Sequence, residues 1–120
     1  MPTLSPALTP RAAAHDMIQR YAARHGLTLT PTTVTLRSGA VVRVDGSDGL
    51  THVQAHTAAA PVRHVDLALL VQDVFALALL RSAHPDARTL LLVRDEAVRD
   101  AVLTRIADTP AAAAVEVVTE

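Results

Sequence analysis

The 120-residue chain has no cysteine, no lysine, no asparagine and no tryptophan. Without cysteine it has no disulfide, no thiol nucleophile and no thiolate metal centre. Without lysine, no mechanism can draw on an ammonium group, because all 11 basic residues are arginine. Tyr21 and Phe75 are its aromatics, too few to form the base-stacking platforms of single-strand binders. An excess of one charge sign is missing too. A formal net charge of −1 gives no general attraction to phosphate. The longest greasy run, Leu67 to Leu80, is interrupted by Gln72 and Asp73 and is too short for a membrane span. The first twenty residues lack the apolar centre of a signal peptide. These absences predict a soluble, cytoplasmic protein with no membrane role.

Half of the residues are apolar, which is enough for the core of one domain. Residues 1–10 (MPTLSPALTP) read as a flexible tail, and residues 11–120 as a single α/β domain. Arg11 to His25 has apolar residues at helical spacing, with Thr9 as a cap, Pro10 in the first turn and Gly26 as a stop. Thr32 to Arg37 alternates with period two, Ser38-Gly39 is a turn, and Ala40 to Val44 is a second strand. Asp45 to Gly49 (DGSDG) reads as a loop before a third strand, Leu50 to His56. Val62 to Ala83 reads as a long helix, apolar nearly all round in its second half and so central and buried. Arg88 to Arg94 is a continuous apolar run, as an inner strand requires. Asp95 to Ala107 is an amphipathic helix, Pro110 a break, and Ala114 to Thr119 a last strand.

The order α-β-β-β-α-β over residues 11–94 resembles the core of the PD-(D/E)XK, or restriction-endonuclease-like, nuclease superfamily. The resemblance implies a mixed sheet with helices on both faces, here extended by a C-terminal helix and strand. In active members an acid stands near the end of the second core strand, and the third strand carries a Glu-x-Lys type triplet. Asp45 ends AVVRV, and Gln54-Ala55-His56 stands at the triplet. Asp73 resembles an acid that some bacterial relatives carry in the following helix. Strand alternation puts Gln54 and His56 on one face, with Val53 and Ala55 on the other, under a helix.

In an active member the two acids hold Mg²⁺ or Mn²⁺ through oxygen ligands beside the scissile phosphate. Here Gln54 offers only a neutral amide oxygen, and a histidine at position 56 is mostly neutral at pH 7. Asp45 is then the single sure anionic ligand. The resemblance therefore implies a nuclease-like protein whose phosphodiesterase activity is lost or weakened, acting as a binding or structural module with DNA as a weak partner. Two other readings stand beside it. One is an active Mg²⁺- or Mn²⁺-dependent nuclease with a variant Asp45/Gln54/His56 site. The other is a homo-oligomeric scaffold with no nucleic-acid role.

Each candidate also has a plainer reading. Asp45 and Asp48 suit a hairpin loop. His52, Gln54 and His56 share a strand face that, with Asp45, offers nitrogen and oxygen ligands for a transition metal; otherwise it is a polar, half-exposed face. Asp73 interrupts an apolar helix, so it either pairs with a strand arginine such as Arg43 or Arg94 or faces the site. Arg63, His64 and Asp66 suit the first turn of a helix, and His15 and Asp16 a solvated helix face. The terminal AVEVV suggests an uncovered sheet edge, and with the long apolar helix it predicts a two-fold homodimer.

Overall fold

The computed structural model describes residues 9–120. The expected tail lies outside the described residues, apart from Thr9 and Pro10, which open the first helix. Helix α1 spans Pro10–His25. Thr9 Oγ1 accepts the Ala12 N–H at 3.1 Å, and Gly26 ends the helix at φ 65°, a conformation glycine adopts without steric cost.

The strands are β1 (Thr30–Thr35), β2 (Val41–Ser47), β3 (Thr51–Ala55), β4 (Arg88–Val93) and β5 (Glu116–Thr119). They form one five-stranded sheet in chain order. β1, β2 and β3 make an antiparallel meander, β4 runs parallel to β3, and β5 parallel to β4. Helix α2 (His64–Ala83) connects β3 to β4, and α3 (Glu96–Ile106) with the short α4 (Ala111–Ala114) connects β4 to β5.

The core has two layers. Met17, Ile18, Tyr21 and Ala22 of α1 pack on Val53, Ala55, Leu90 and Leu92. On the opposite face, Leu70, Val74 and Leu77 of α2 and Val98, Val102 and Ile106 of α3 cover Val42, Val44, Leu91, Val93 and Val117. The uninterrupted run of β4 is thus an inner strand covered on both sides. Each fully buried leucine or valine there contributes roughly 1.5–3 kcal/mol.

Four features depart from the sequence reading. β2 continues through Asp45, Gly46 and Ser47, where the composition predicts a loop. Pro110 lies in the break after α3, as expected, but a helical turn follows it before the last strand: its φ of −60° suits a helix start. Helix α2 is buried on one side only, with Val65, Leu69, Phe75 and Leu79 exposed, because a single sheet can cover a single face of a helix. Finally, β5 is the edge strand that AVEVV suggests, but that edge is not left bare. Val117 is buried, Val118 is partly buried against the α1 layer, and the Arg99 side chain donates to the Val117 carbonyl at 3.0 Å. Among the described residues, no helix is long and apolar enough to cross a membrane.

Candidate functional site

The site begins with a register fault. Thr30 pairs with Ser47, whereas Thr32 pairs with Val44; two steps along β1 are matched by three along β2. The extra residue lies at Asp45-Gly46, opposite Pro31. Proline has no N–H to give to a ladder, so it belongs on an edge strand or at a bulge, and here both hold. A bulge breaks the in–out alternation and re-aims the side chains beside it. Val44 packs in the α2 layer. A Cβ added at Gly46 would meet Ile18 Cγ2 at 2.7 Å and Leu29 Cβ at 3.1 Å, in the α1 layer. Asp45, between them, turns its carboxylate toward β3, where Oδ2 accepts the Ala55 N–H at 3.0 Å.

Past the pair Gly46–Val53, β2 and β3 stop pairing backbone to backbone. Side chains take over. Gln54 Oε1 accepts the Asp45 N–H at 2.8 Å, and Gln54 Nε2 donates to the Arg43 carbonyl at 2.8 Å. The amide stands in for a peptide group in the ladder, which accounts for a glutamine being only 7% exposed. Buried polar groups of this kind must find partners. An amide meets both demands at once, being donor and acceptor; a carboxylate would meet only one.

His56 follows on the same strand face and is half-buried. Its Nδ1 accepts the Ala58 N–H at 3.1 Å. Burial pushes the imidazole below its usual pKa, against the opposing charges of Asp66 and Asp45. A neutral ring whose Nδ1 accepts a hydrogen bond carries its proton on Nε2. His56 therefore offers a neutral N–H donor where the resemblance places a cation.

Asp73 comes from α2. Among the described residues it forms no ion pair, with Arg43, Arg94 or any other arginine. Burial pushes its carboxyl up to about 6, and the Asp45 charge adds to the shift. Asp73 and Asp45 line the same groove. Asp45, Gln54, His56 and Asp73 converge on one groove of about 770 Å³, which Arg11, His15, Arg43 and Gln72 also line. The sequence pointed to the first four. The arginines were missed as groove residues, because their placement depends on α1 and β2 crossing at this end of the sheet. Pro31, inside a strand, was the available sign of the bulge.

The other candidates fall elsewhere. Asp48 fixes the β2–β3 turn: its Oδ1 accepts the Leu50 and Thr51 N–H groups at 2.9 and 2.7 Å, and these bonds lower its pKa. His52 is 3% exposed, so this part of the face is buried rather than half-exposed. Its Nδ1 meets Ser47 Oγ at 2.9 Å, and it lies in a separate cleft with His84. Asp66 pairs with Arg63 at 2.9 Å in the first turn of α2. Asp16 is solvated, whereas the exposed His15 borders the groove.

For a divalent cation the donor set is thin. Asp45 Oδ2 and Gln54 Oε1 already accept backbone N–H groups. Among the described residues, no group of three or more His, Cys, Asp or Glu side chains could hold a metal ion. Comparison with protein-family models, with curated proteins and with solved structures finds no match to this chain.

Proposed function

We propose that this chain is a degenerate PD-(D/E)XK nuclease-like protein in which metal-dependent phosphodiester cleavage is lost or strongly weakened, and that its groove serves as a binding surface. The observation that carries this reading is the double engagement of Gln54 with Arg43 and Asp45. The residue at the position of the second metal-binding acid holds the sheet together instead. The α-β-β-β-α-β order with β4 parallel to β3 and the acid near the end of β2 support the family reading. Beside the acids, a neutral His56 donor and the guanidinium groups of Arg11 and Arg43 can meet phosphate oxygens through hydrogen bonds and charge. Two such cations give a weak, salt-sensitive interaction with duplex DNA, with a log–log salt slope of about −2.

One observation favours residual activity. Asp45 and Asp73 line the same groove, where burial and then the Asp45 charge raise the Asp73 carboxyl; a Mg²⁺ or Mn²⁺ ion beside them would offset both effects. Supercoiled-plasmid nicking in Mg²⁺ and in Mn²⁺ separates the two readings. No nicking above background is expected. Nicking by the pure protein that disappears in Asp45→Ala would overturn the inactive reading; nicking that survives the substitution indicates a contaminant. Fluorescence anisotropy of labelled duplex DNA across a salt series tests the groove. Binding that is absent at low salt leaves the third reading, a scaffold with no nucleic-acid role.

A further inference from the structure

The solvent face of α2 carries an ordered apolar stripe. Val65 is 56% exposed, Leu69 47%, Phe75 46% and Leu79 49%. At 3.6 residues per turn these positions and Gln72 lie within one arc of the helix, opposite the buried Leu70, Val74 and Leu77. Polar residues are the rule on the outer face of a helix, so a stripe of this composition calls for a covering partner.

The spacing of the stripe is palindromic. From Val65 the steps are four, three, three and four residues, with Gln72 at the centre. A two-fold axis perpendicular to the helix at Gln72 sets Val65 against Leu79 of a second copy and Leu69 against its Phe75. The apolar contacts then close on themselves, which is the condition for an isologous interface. Helices paired this way run antiparallel, so their dipoles oppose. The one polar residue in the row falls on the axis. There Gln72 can exchange amide hydrogen bonds with its own copy, a neutral polar pair of the kind that fixes register in helix pairs.

We infer that the stripe Val65-Leu69-Gln72-Phe75-Leu79 is a homodimer interface, built by antiparallel pairing of α2 from two copies about an axis at Gln72. The size agrees with this occupant. About half of each of the four side chains is free, on the order of 350 Å² per copy, and with Ala68 and Ala76 the pair buries about 1,000 Å² in total, near the lower limit of specific interfaces. The dimer therefore dissociates on dilution. Gln72 and Ala76 also line the groove, so pairing sets the two grooves on either side of the axis. The inference does not depend on the nuclease-like reading.

Sedimentation equilibrium over a wide concentration range is the primary test. The mass is expected to rise from 12.7 kDa toward twice that value. The double variant Leu69→Arg/Phe75→Arg is expected to weaken association by roughly a hundredfold or more and to keep the parent's melting temperature at dilutions where the parent is monomeric, falling below it where the parent is dimeric. A second variant does not depend on charge. The chain has no cysteine, so Gln72→Cys is expected to form an intermolecular disulfide on mild oxidation, whereas Arg37→Cys, exposed in the β1–β2 turn, stays monomeric. A monomer mass throughout would overturn the inference. So would a dimer indifferent to the double arginine change, or equal crosslinking from both single-cysteine variants.

Discussion

Replacing Asp73 by asparagine should make the protein more stable, and only above a definite pH. Asp73 is half-buried and without a counter-ion among the described residues, and its carboxyl is pushed from 3.8 up to about 6. The folded protein therefore holds this proton more tightly than the unfolded chain does. Between these two values the native state binds more protons, so its stability falls as pH rises through the window and levels off above it. At 1.36 kcal/mol per pKa unit the full displacement corresponds to roughly 3 kcal/mol, and groove water screens it to about 1–2 kcal/mol. Asp73→Asn removes the charge and keeps the shape. Urea unfolding followed by circular dichroism should show the variant more stable by about that amount at pH 8, or roughly 0.5–1 M in midpoint. The two proteins should converge near pH 4. His52 and His56, whose pKa values are lowered by burial, give slopes of the opposite sign below pH 6.5, so the difference between the two proteins is the quantity to read. A variant no more stable than the parent at pH 8, with the same pH slope, would refute the reasoning. The same samples test the cation: Mn²⁺ raising the melting temperature of the parent but not of Asp73→Asn would favour a metal between Asp45 and Asp73.

Gln54→Glu removes the donor to the Arg43 carbonyl and sets a carboxylate against that oxygen; a loss of about 1–3 kcal/mol is expected in thermal or urea unfolding, with no gain of plasmid nicking. An unchanged melting temperature would mean that the amide does not hold the β2–β3 junction. Gly46→Ala places a methyl group 2.7 Å from Ile18 Cγ2 in a close-packed layer. It should cost about 1–3 kcal/mol, whereas Gly39→Ala, which meets nothing within 4 Å but holds φ 87°, should lose stability through backbone strain alone.

Much of the candidate site was legible because its residues sit on a strand. A period of two puts Gln54 and His56 on one face and Val53 and Ala55 on the other, whatever the strand packs against. The role of Gln54 was not legible. Its amide bonds to Arg43 and Asp45, and those contacts exist only because β2 and β3 part at the bulge. The local composition of Asp45, Gly46 and Ser47 predicts a loop, because Asp, Gly and Ser usually mark turns. The pairing of β1 with β2 overrode that local preference and drew all three residues into the sheet.

The element order, the inner position of β4 and the acid Asp73 in the apolar stretch of α2 could all be read from the sequence, since they follow from hydrophobic periodicity and from the cost of burying charge. Tertiary structure alone decided which face of α2 stayed in water, where Asp45 pointed, and what Gln54 and Asp73 found around them. Periodicity records that a face is apolar, but not whether the fold supplies a surface to cover it. A side chain's hydrogen bonds and pKa depend on neighbours brought close only by strand pairing and helix packing.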